Sequence, residues 1–165
     1  MANRILVSAE DGMDAPEWSC KVEPFLKKSL SALGLDEREI SVLFCGDDFI
    51  RILNRDYRNV DAPTDVLSFE SGEKYSDEEG EWLNMGDIVI SLPMLSQNAR
   101  YFSTSENAEL KRLLLHGALH LNGMDHGDEH IEAGKLPECE MLCLQEKILS
   151  ELEEEEIVPN SISAS

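Results

Sequence analysis

The sequence predicts an α+β fold, in which one mixed sheet of about four strands is flanked by about five helices. Short apolar segments alternate along the chain with longer amphipathic ones, as strands and helices do when they pack in layers. The chain has 165 residues, of which 42% are hydrophobic, enough for one domain with its own core. We therefore expect a single domain over residues 1–157 and a disordered tail over residues 158–165.

Four segments have the length and the β-branched or aromatic content of strands. They are residues 5–7, 40–45, 65–69 and 87–91. Residues 71–84 are rich in Gly and Glu, so we expect a loop there that closes an antiparallel pair. Connections of helical length between the other strands allow parallel neighbours, and the order of the strands in the sheet stays open.

Five segments have the periodicity of helices. They are residues 17–33, 47–57, 93–101, 104–122 and 137–154. Gly34 would end the first helix, Asp47 would cap the second, Pro93 suits the first turn of the third, and Thr104 or Ser105 would cap the fourth. Six side chains of the last helix are expected to face inward: Met141, Leu142, Gln145, Ile148, Leu149 and Leu152.

Three of the four histidines lie within eleven residues, on the fourth helix and the loop after it. His116 and His120 are four apart and so share one face of a helix. Gly123 offers a helix end that turns the chain back, so that His126 could approach the same ion. The cluster therefore predicts a metal site rather than ordinary histidines at the edge of a core. Three imidazoles suit Zn²⁺, and less selectively Ni²⁺ or Cu²⁺, and leave a coordination position open for catalysis.

The histidine spacing equals that of the long zinc-protease motif H-E-x-x-H-x-x-G-x-x-H, in which the glutamate is the general base. Gly117 stands in place of that glutamate. The missing carboxylate argues against proteolysis and leaves the zinc prediction intact. Asp125 is a candidate general base or a partner that orients His126, whereas His130 lies in an acidic run and is expected to be solvated.

The net charge of −20, from 14 basic and 34 acidic residues, would ordinarily repel a polyanion such as RNA. The charge is concentrated, because residues 70–87 hold seven acids against one lysine and residues 128–156 hold eleven against two. Residues 51–65 are neutral and include Arg51, Arg55 and Arg58, which would share one helix face and could present guanidinium groups to phosphates. We expect Arg51 to be neutralised by Asp47 and Asp48.

Four segments together resemble one known family. They are HGALHLNGMDH, which holds the histidines, LNRDYR at residues 53–58, PTDVLSF at 63–69 and GDI at 86–88. The chain resembles the YbeY family of bacterial metal-dependent endoribonucleases over about residues 40–149. Two departures are mild: Met124 stands where a tyrosine is common, and the acidic loop after Phe69 is enlarged.

This resemblance implies catalytic residues and a substrate. His116, His120 and His126 would hold one zinc ion, and Arg58 would be the functional arginine that offsets charge in the transition state. The implied activity is single-strand-specific cleavage of ribosomal RNA, chiefly in maturation of the 3′ end of the small-subunit RNA, with a part in ribosome quality control. The nucleophile stays open between water activated by zinc and the 2′-hydroxyl of the RNA.

The expected partners are ribosomal RNA, ribosome precursors and basic ribosomal proteins that could dock on the acidic faces. The chain has no apolar run near the roughly 20 residues of a membrane helix, and its first residues lack the long apolar segment of a signal peptide. We therefore expect a cytoplasmic protein without a membrane partner. Two alternatives remain at this point: a non-catalytic assembly factor that zinc stabilises, and a zinc hydrolase of another substrate.

Overall fold

The computed structural model describes residues 3–123 and 140–159. In this part of the chain four strands and five α-helices follow one another in the predicted order. A short 3₁₀ helix lies between the first strand and the first α-helix. The bounds of the strands and α-helices are β1 Arg4–Ala9, α1 Val22–Ala32, β2 Arg38–Cys45, α2 Asp47–Arg58, β3 Val66–Asp77, β4 Gly80–Ser91, α3 Leu92–Tyr101, α4 Glu106–Leu121 and α5 Glu140–Glu151. The predicted α+β class and the counts of about four strands and five helices are confirmed.

The four strands form one sheet in the order β1-β2-β4-β3. The pairs β1–β2 and β2–β4 are parallel, and β3 runs antiparallel to β4. The sheet is therefore mixed, as expected, and β3 is an edge strand. In its register with β4, Ser68 lies opposite Ile88.

Alternation along β4 directs its side chains to two separate cores. Ile88 and Ile90 belong to the larger core, which also contains Leu114 of α4 and Phe25 of α1. Val89 packs on the other face with a smaller group from α2, β2 and β3. The helix that carries His116 and His120 therefore covers one face of the sheet, and the helix that carries Arg58 covers the other.

Residues 71–84 form a β-hairpin, so the prediction of a loop there was wrong, while the antiparallel pairing of the flanking strands is confirmed. Tyr75 and Trp82 are cross-strand partners. Arg4 of β1 donates hydrogen bonds to Asp77 at 2.9 Å and to Glu79 at 2.6 Å, and its guanidinium lies 4.1 Å from the Trp82 ring centre. These contacts join residues more than 70 positions apart, so local composition does not reveal them.

The predicted helix over residues 17–33 is divided in two. A 3₁₀ turn spans Glu17–Lys21, and α1 begins only at Val22. Pro24 explains the break, because a proline has no backbone N–H to donate and is tolerated in the first turn of an α-helix but not in its interior. Gly34 follows the end of this helix with a φ of 74°.

Helix caps differ in one place from the prediction. Gly46, not Asp47, is the N-cap of α2. The Asp47 carboxylate instead accepts a hydrogen bond from the Ser91 hydroxyl at 2.7 Å, and a carboxylate engaged in this way does not cap its own helix. Ser105 caps α4, as expected, because its hydroxyl accepts a bond from the backbone N–H three residues further on at 3.0 Å.

The C-terminal part of the described chain returns to α4. Met141, Leu142, Gln145 and Ile148 of α5 are buried, as predicted. Beyond α5 the backbone N–H groups of residues 157 and 158 both donate to the side-chain oxygen of Asn107, at 2.7 and 3.0 Å. The predicted start of the disordered tail at residue 158 is therefore wrong for that residue, which also packs against the main core, and residues 160–165 lie outside the described residues. None of the described helices is long and apolar enough to cross a membrane.

Candidate metal centre

The centre is built on the last two turns of α4. His116 and His120 lie one turn apart, and their Nε2 atoms are 3.1 Å from each other. The ring centres are 4.6 Å apart, with the ring planes at 76°. The prediction that these two imidazoles share one helix face is confirmed, and both point their Nε2 atoms at a common region.

The pair has the donor chemistry and the spacing that a zinc ion requires. Two histidine nitrogens, each about 2.0–2.1 Å from a tetrahedral zinc ion, would lie roughly 3.3 Å apart. The 3.1 Å separation of the Nε2 atoms is close to this value, so His116 and His120 fit a shared ion with little movement.

The third predicted ligand, His126, lies outside the described residues, as does Asp125. Over residues 3–123 and 140–159 no group of three or more His, Cys, Asp or Glu side chains is placed to hold a metal. The structure does show the turn that leads towards His126. Gly123 has a φ of 83°, the left-handed conformation that ends a helix, as its position in the sequence predicted.

Gln145 of α5 contacts His116 at Nδ1, the ring nitrogen that does not face His120. Its side-chain oxygen, Oε1, lies 2.8 Å from Nδ1 of His116, and the residue is fully buried. Its place on the inward face of the last helix agrees with the prediction, but the sequence pattern indicated no role for it. The available signal was its polarity, because it stands among apolar positions where an amide must find a hydrogen-bonding partner.

Arg58 reaches the same part of the sheet from α2. Its Nη2 group donates a hydrogen bond to the backbone oxygen of Ser68 at 2.9 Å. Ser68 pairs with Ile88 of β4, and the backbone of Gly117 lies against the Ile88 side chain. Arg58 and the residue next to His116 therefore contact two strand positions that are direct cross-strand neighbours.

The other two arginines of this helix are engaged by carboxylates. Arg51 pairs with Asp61 at 2.8 Å, and Arg55 pairs with Asp56 at 3.0 Å. The expectation that Arg51 is neutralised is correct, but its carboxylate partner differs from the expected Asp47 and Asp48. The structure therefore does not show a helix face with three guanidinium groups directed at phosphates.

Tyr57 adds an exposed aromatic ring beside Arg58. The residue is 68% exposed, and its ring makes a T-shaped contact with the Phe69 ring, with the ring centres 5.4 Å apart. A ring that is supported on one side and open on the other can stack with a planar group such as a nucleobase. Tyr57 was not among the predicted site residues, although it is adjacent to Arg58 in the sequence.

A buried polar cluster supports the first half of α4. Glu109 pairs with Arg112 at 2.9 Å, and burial raises the pKa of Glu109 to about 7. Nearby, Asp65 accepts hydrogen bonds from the Asn98 amide at 2.7 Å and from the backbone N–H of Val66 at 2.7 Å. Burial also raises the pKa of Asp65, against these hydrogen bonds. The hydrogen bonds of Asp65 link the start of β3 to α3, so Asp65 has a structural role.

Together the fold and the centre define a single-domain α+β protein with a histidine pair on a helix that packs against its sheet. The model of the family described as Endoribonuclease YbeY matches residues 6–153. The chain therefore belongs to the YbeY family of endoribonucleases, as its sequence motifs predicted.

Individual relatives agree with this membership. The chain is 50% identical over 158 residues to an Endoribonuclease YbeY from Treponema denticola, covering 95% of this chain and 98% of the relative. It is 43% identical over 150 residues to the protein of the same name from Treponema pallidum, covering 90% and 89%. A solution structure of a Thermotoga maritima protein is similar, with a TM-score of 0.59, 25% identity and coverage of 96% and 97%.

Proposed function

We propose that this chain is a metal-dependent endoribonuclease that cuts single-stranded ribosomal RNA, chiefly in maturation of the 3′ end of the small-subunit RNA, and contributes to ribosome quality control. Membership of the YbeY family supports the endoribonuclease activity. The observation that carries the metal dependence is the 3.1 Å approach of the His116 and His120 Nε2 atoms.

The residues proposed to hold the metal are His116, His120 and His126, and the proposed metal is zinc. When bound, zinc would supply Lewis-acid chemistry, polarising a phosphate oxygen or acidifying a water molecule. The chain's own contribution is to fix the two imidazoles on a helix packed against the sheet, so that their nitrogens are in place before substrate arrives.

Arg58 is proposed to bind the phosphate under attack. A guanidinium carries five N–H donors in a planar fork that matches phosphate oxygens, and the contact with Ser68 engages the Nη2 group. That contact orients the side chain along the edge of the sheet. Because Arg51 and Arg55 are paired with carboxylates, Arg58 is the arginine of α2 best suited to a phosphate.

Tyr57 is proposed to receive a base of the RNA strand. Stacking on an aromatic ring tolerates every base and requires that the base be unpaired. An open ring adjacent to Arg58 therefore supports a preference for single strands. It also supplies binding energy that does not depend on charge, which matters in a chain whose net charge is −20.

The proposed catalytic domain comprises residues 1–157, and the proposed cofactor is one zinc ion per chain. Residue 157 is fully buried against the main core, which supports its inclusion in the domain. Residues 158–165 are proposed to be a tail. The partners we propose are ribosome precursors, together with basic ribosomal proteins that would meet the acidic faces. The cytoplasm is the proposed location because ribosomal RNA is processed there in bacteria.

The direct test is cleavage of a labelled RNA that contains the 3′ end of the small-subunit precursor. Wild type should cut it, a chelator should abolish cutting, and added zinc should restore it. His116→Ala should be inactive while its circular dichroism spectrum stays that of a folded protein. The product ends identify the nucleophile: a 2′,3′-cyclic phosphate means attack by the RNA, and a 3′-hydroxyl with a 5′-phosphate means attack by water.

A further inference from the structure

We propose that Gln145 is a positioning residue, which fixes the tautomer and the orientation of the His116 ring and thereby sets the metal affinity of the centre. This inference rests on the proposed metal site at His116 and His120. It adds a residue of α5, beyond the three predicted ligands, whose task is to prepare one of them.

The orientation of the Gln145 amide can be deduced from its two neighbours. Its Nε2 group donates to the Glu146 carboxylate at 3.3 Å, and a carboxylate accepts hydrogen bonds but does not donate them when ionised. Its Oε1 atom consequently faces His116, at 2.8 Å from Nδ1. An amide oxygen accepts only, so Nδ1 of His116 must carry the proton.

A proton on Nδ1 has a direct consequence for metal binding. In a neutral imidazole one nitrogen carries the proton and the other carries the lone pair. The proton on Nδ1 leaves the lone pair on Nε2, which is the atom that lies 3.1 Å from Nε2 of His120. The hydrogen bond that Gln145 accepts from Nδ1–H of His116 thus selects the tautomer in which Nε2 presents its lone pair to the shared ion, as outer-shell partners of metal-bound histidines do.

The amide is held rigidly in place. Gln145 is fully buried, and its neighbours along the inward face of α5, Met141 and Ile148, pack against Leu115 and Leu119 of α4. Those two leucines immediately precede His116 and His120. The apolar contact between the helices therefore fixes the distance from the amide to the imidazole, and an unbonded amide at this position would be costly.

This arrangement also connects the two parts of the predicted centre. His116 and His120 belong to α4, while α5 follows His126 in the chain. Docking of α5 on α4 through Gln145 therefore links the orientation of His116 to a helix that follows His126 in the chain. The inference assigns to α5 a role in metal binding that the ligand spacing alone does not suggest.

The test measures zinc affinity of the full-length protein by competition with a chromophoric chelator. Gln145→Leu should weaken zinc binding by about tenfold or more, in the range found for outer-shell partners. Gln145→Glu keeps an acceptor for Nδ1 and should bind zinc at least as tightly as wild type does. Gln97→Leu makes the same chemical change at an exposed position of α3 and should leave the affinity unchanged.

The tautomer of His116 can also be measured in the wild-type protein, so this test does not depend on whether a variant folds. Long-range ¹H–¹⁵N spectra of the histidine rings should show His116 protonated on Nδ1 in the metal-free form and in the zinc form. Gln145→Leu should lose this fixed tautomer in the metal-free form, a change that a purely structural role would not produce. His116 bound to zinc through Nδ1 would overturn the inference, as would equal zinc affinity of wild type and folded Gln145→Leu.

These outcomes separate the inference from the proposed function. A wild type that binds no zinc contradicts the proposed metal site and, with it, the role of Gln145. A wild type that binds zinc and cuts RNA, together with a Gln145→Leu variant of unchanged affinity and tautomer, contradicts the role of Gln145 alone.

Discussion

The backbone of Gly117 lies directly against the side chain of Ile88 in β4. A Cβ atom at position 117 would be 3.0 Å from Cγ2 of Ile88 and 3.1 Å from both Cγ1 and Cδ1. The residue that follows His116 therefore faces the sheet rather than the space between the histidines. This packing accounts for a glycine at the position that holds glutamate in the zinc-protease motif, because a side chain at 117 would be forced into the core.

The close packing predicts that Gly117→Ala destabilises the protein. Alanine in a helix interior is usually favoured over glycine by about 0.5–1 kcal/mol, but overpacking a core costs about 1–3 kcal/mol. We expect a net loss of about 1 kcal/mol in the free energy of unfolding, measured by urea denaturation.

Ile88→Ala provides the matched control for this prediction, because it removes all three crowding carbons. The double variant should lose about 1 kcal/mol less free energy of unfolding than the two single variants lose together. Such non-additivity is expected of two residues in direct contact. Additive effects, or a Gly117→Ala protein more stable than wild type, would show that the helix does not pack so closely at this point.

Arg58→Ala should reduce RNA cleavage by about 10²–10³-fold, the usual cost of removing one donor to transition-state charge. Zinc content should stay that of wild type, because Arg58 is not one of the proposed ligands and donates its hydrogen bond to the Ser68 backbone. Arg58→Lys should restore little, since an ammonium group lacks the planar fork. Single-turnover rates and metal analysis on the same samples provide both readings.

Arg51→Ala and Arg55→Ala are the controls for this prediction. Both remove a guanidinium from the same helix, but from ion pairs with Asp61 and Asp56, and each should change the cleavage rate by less than about threefold. Equal losses in all three variants would mean that α2 attracts RNA by general charge. Loss of zinc in Arg58→Ala would assign the residue to the metal site instead.

Tyr57→Ala should weaken binding of single-stranded RNA by about tenfold, because stacking of one base on an aromatic ring contributes roughly 1–3 kcal/mol. Tyr57→Phe keeps the ring and should bind as wild type does. Tyr101→Ala removes a ring of similar exposure, 74% against 68%, from α3 and serves as the control. If all three variants bind RNA as wild type does in a fluorescence titration, Tyr57 does not contact the substrate.

The buried Glu109 predicts a specific dependence of stability on pH. Burial is the main cause that raises its pKa to about 7; the charges of Asp65 and Glu146 act in the same direction, and Arg112 only partly opposes them. A pKa raised in the folded state means that the contribution to stability is complete below pH ~4.5 and is lost as the pH rises towards 7. The loss is of the order of 3 kcal/mol.

Glu109→Gln should remove this dependence. The free energy of unfolding of the variant, relative to wild type, should increase by up to about 3 kcal/mol between pH 4.5 and 8. Glu106→Gln changes an exposed carboxylate in the same turn of α4 and should show no such trend. If the curves for Glu109→Gln and wild type stay parallel across this range, Glu109 does not titrate there.

The sequence was sufficient for features that depend on local pattern. The spacing of His116 and His120 predicted a shared helix face, and Ser105 and Gly123 predicted where α4 begins and ends, because capping and helix periodicity are properties of neighbouring residues. The alternation of strands and helices predicted the α+β class for the same reason.

Features that depend on distant contacts could not be predicted in this way. The hairpin over residues 71–84 is held by Arg4, and the partner of the Asp47 carboxylate, Ser91, is 44 residues away. The hydrogen bond between Gln145 and His116 likewise joins two helices. In each case the fold brings the stabilising partner close, and the composition of a short sequence window does not predict that partner.

The most direct test of the central claim is the dependence of RNA cleavage on metal bound by the histidine pair. Zinc content and cleavage of a single-stranded small-subunit RNA precursor should be measured together for wild type, His116→Ala and His120→Ala, before and after chelation. The proposed metal-dependent cleavage requires about one zinc ion per wild-type chain, cleavage that falls with zinc on chelation and returns with it, and folded variants that have lost both. Undiminished cleavage by zinc-free wild type, or by either histidine variant, would contradict it.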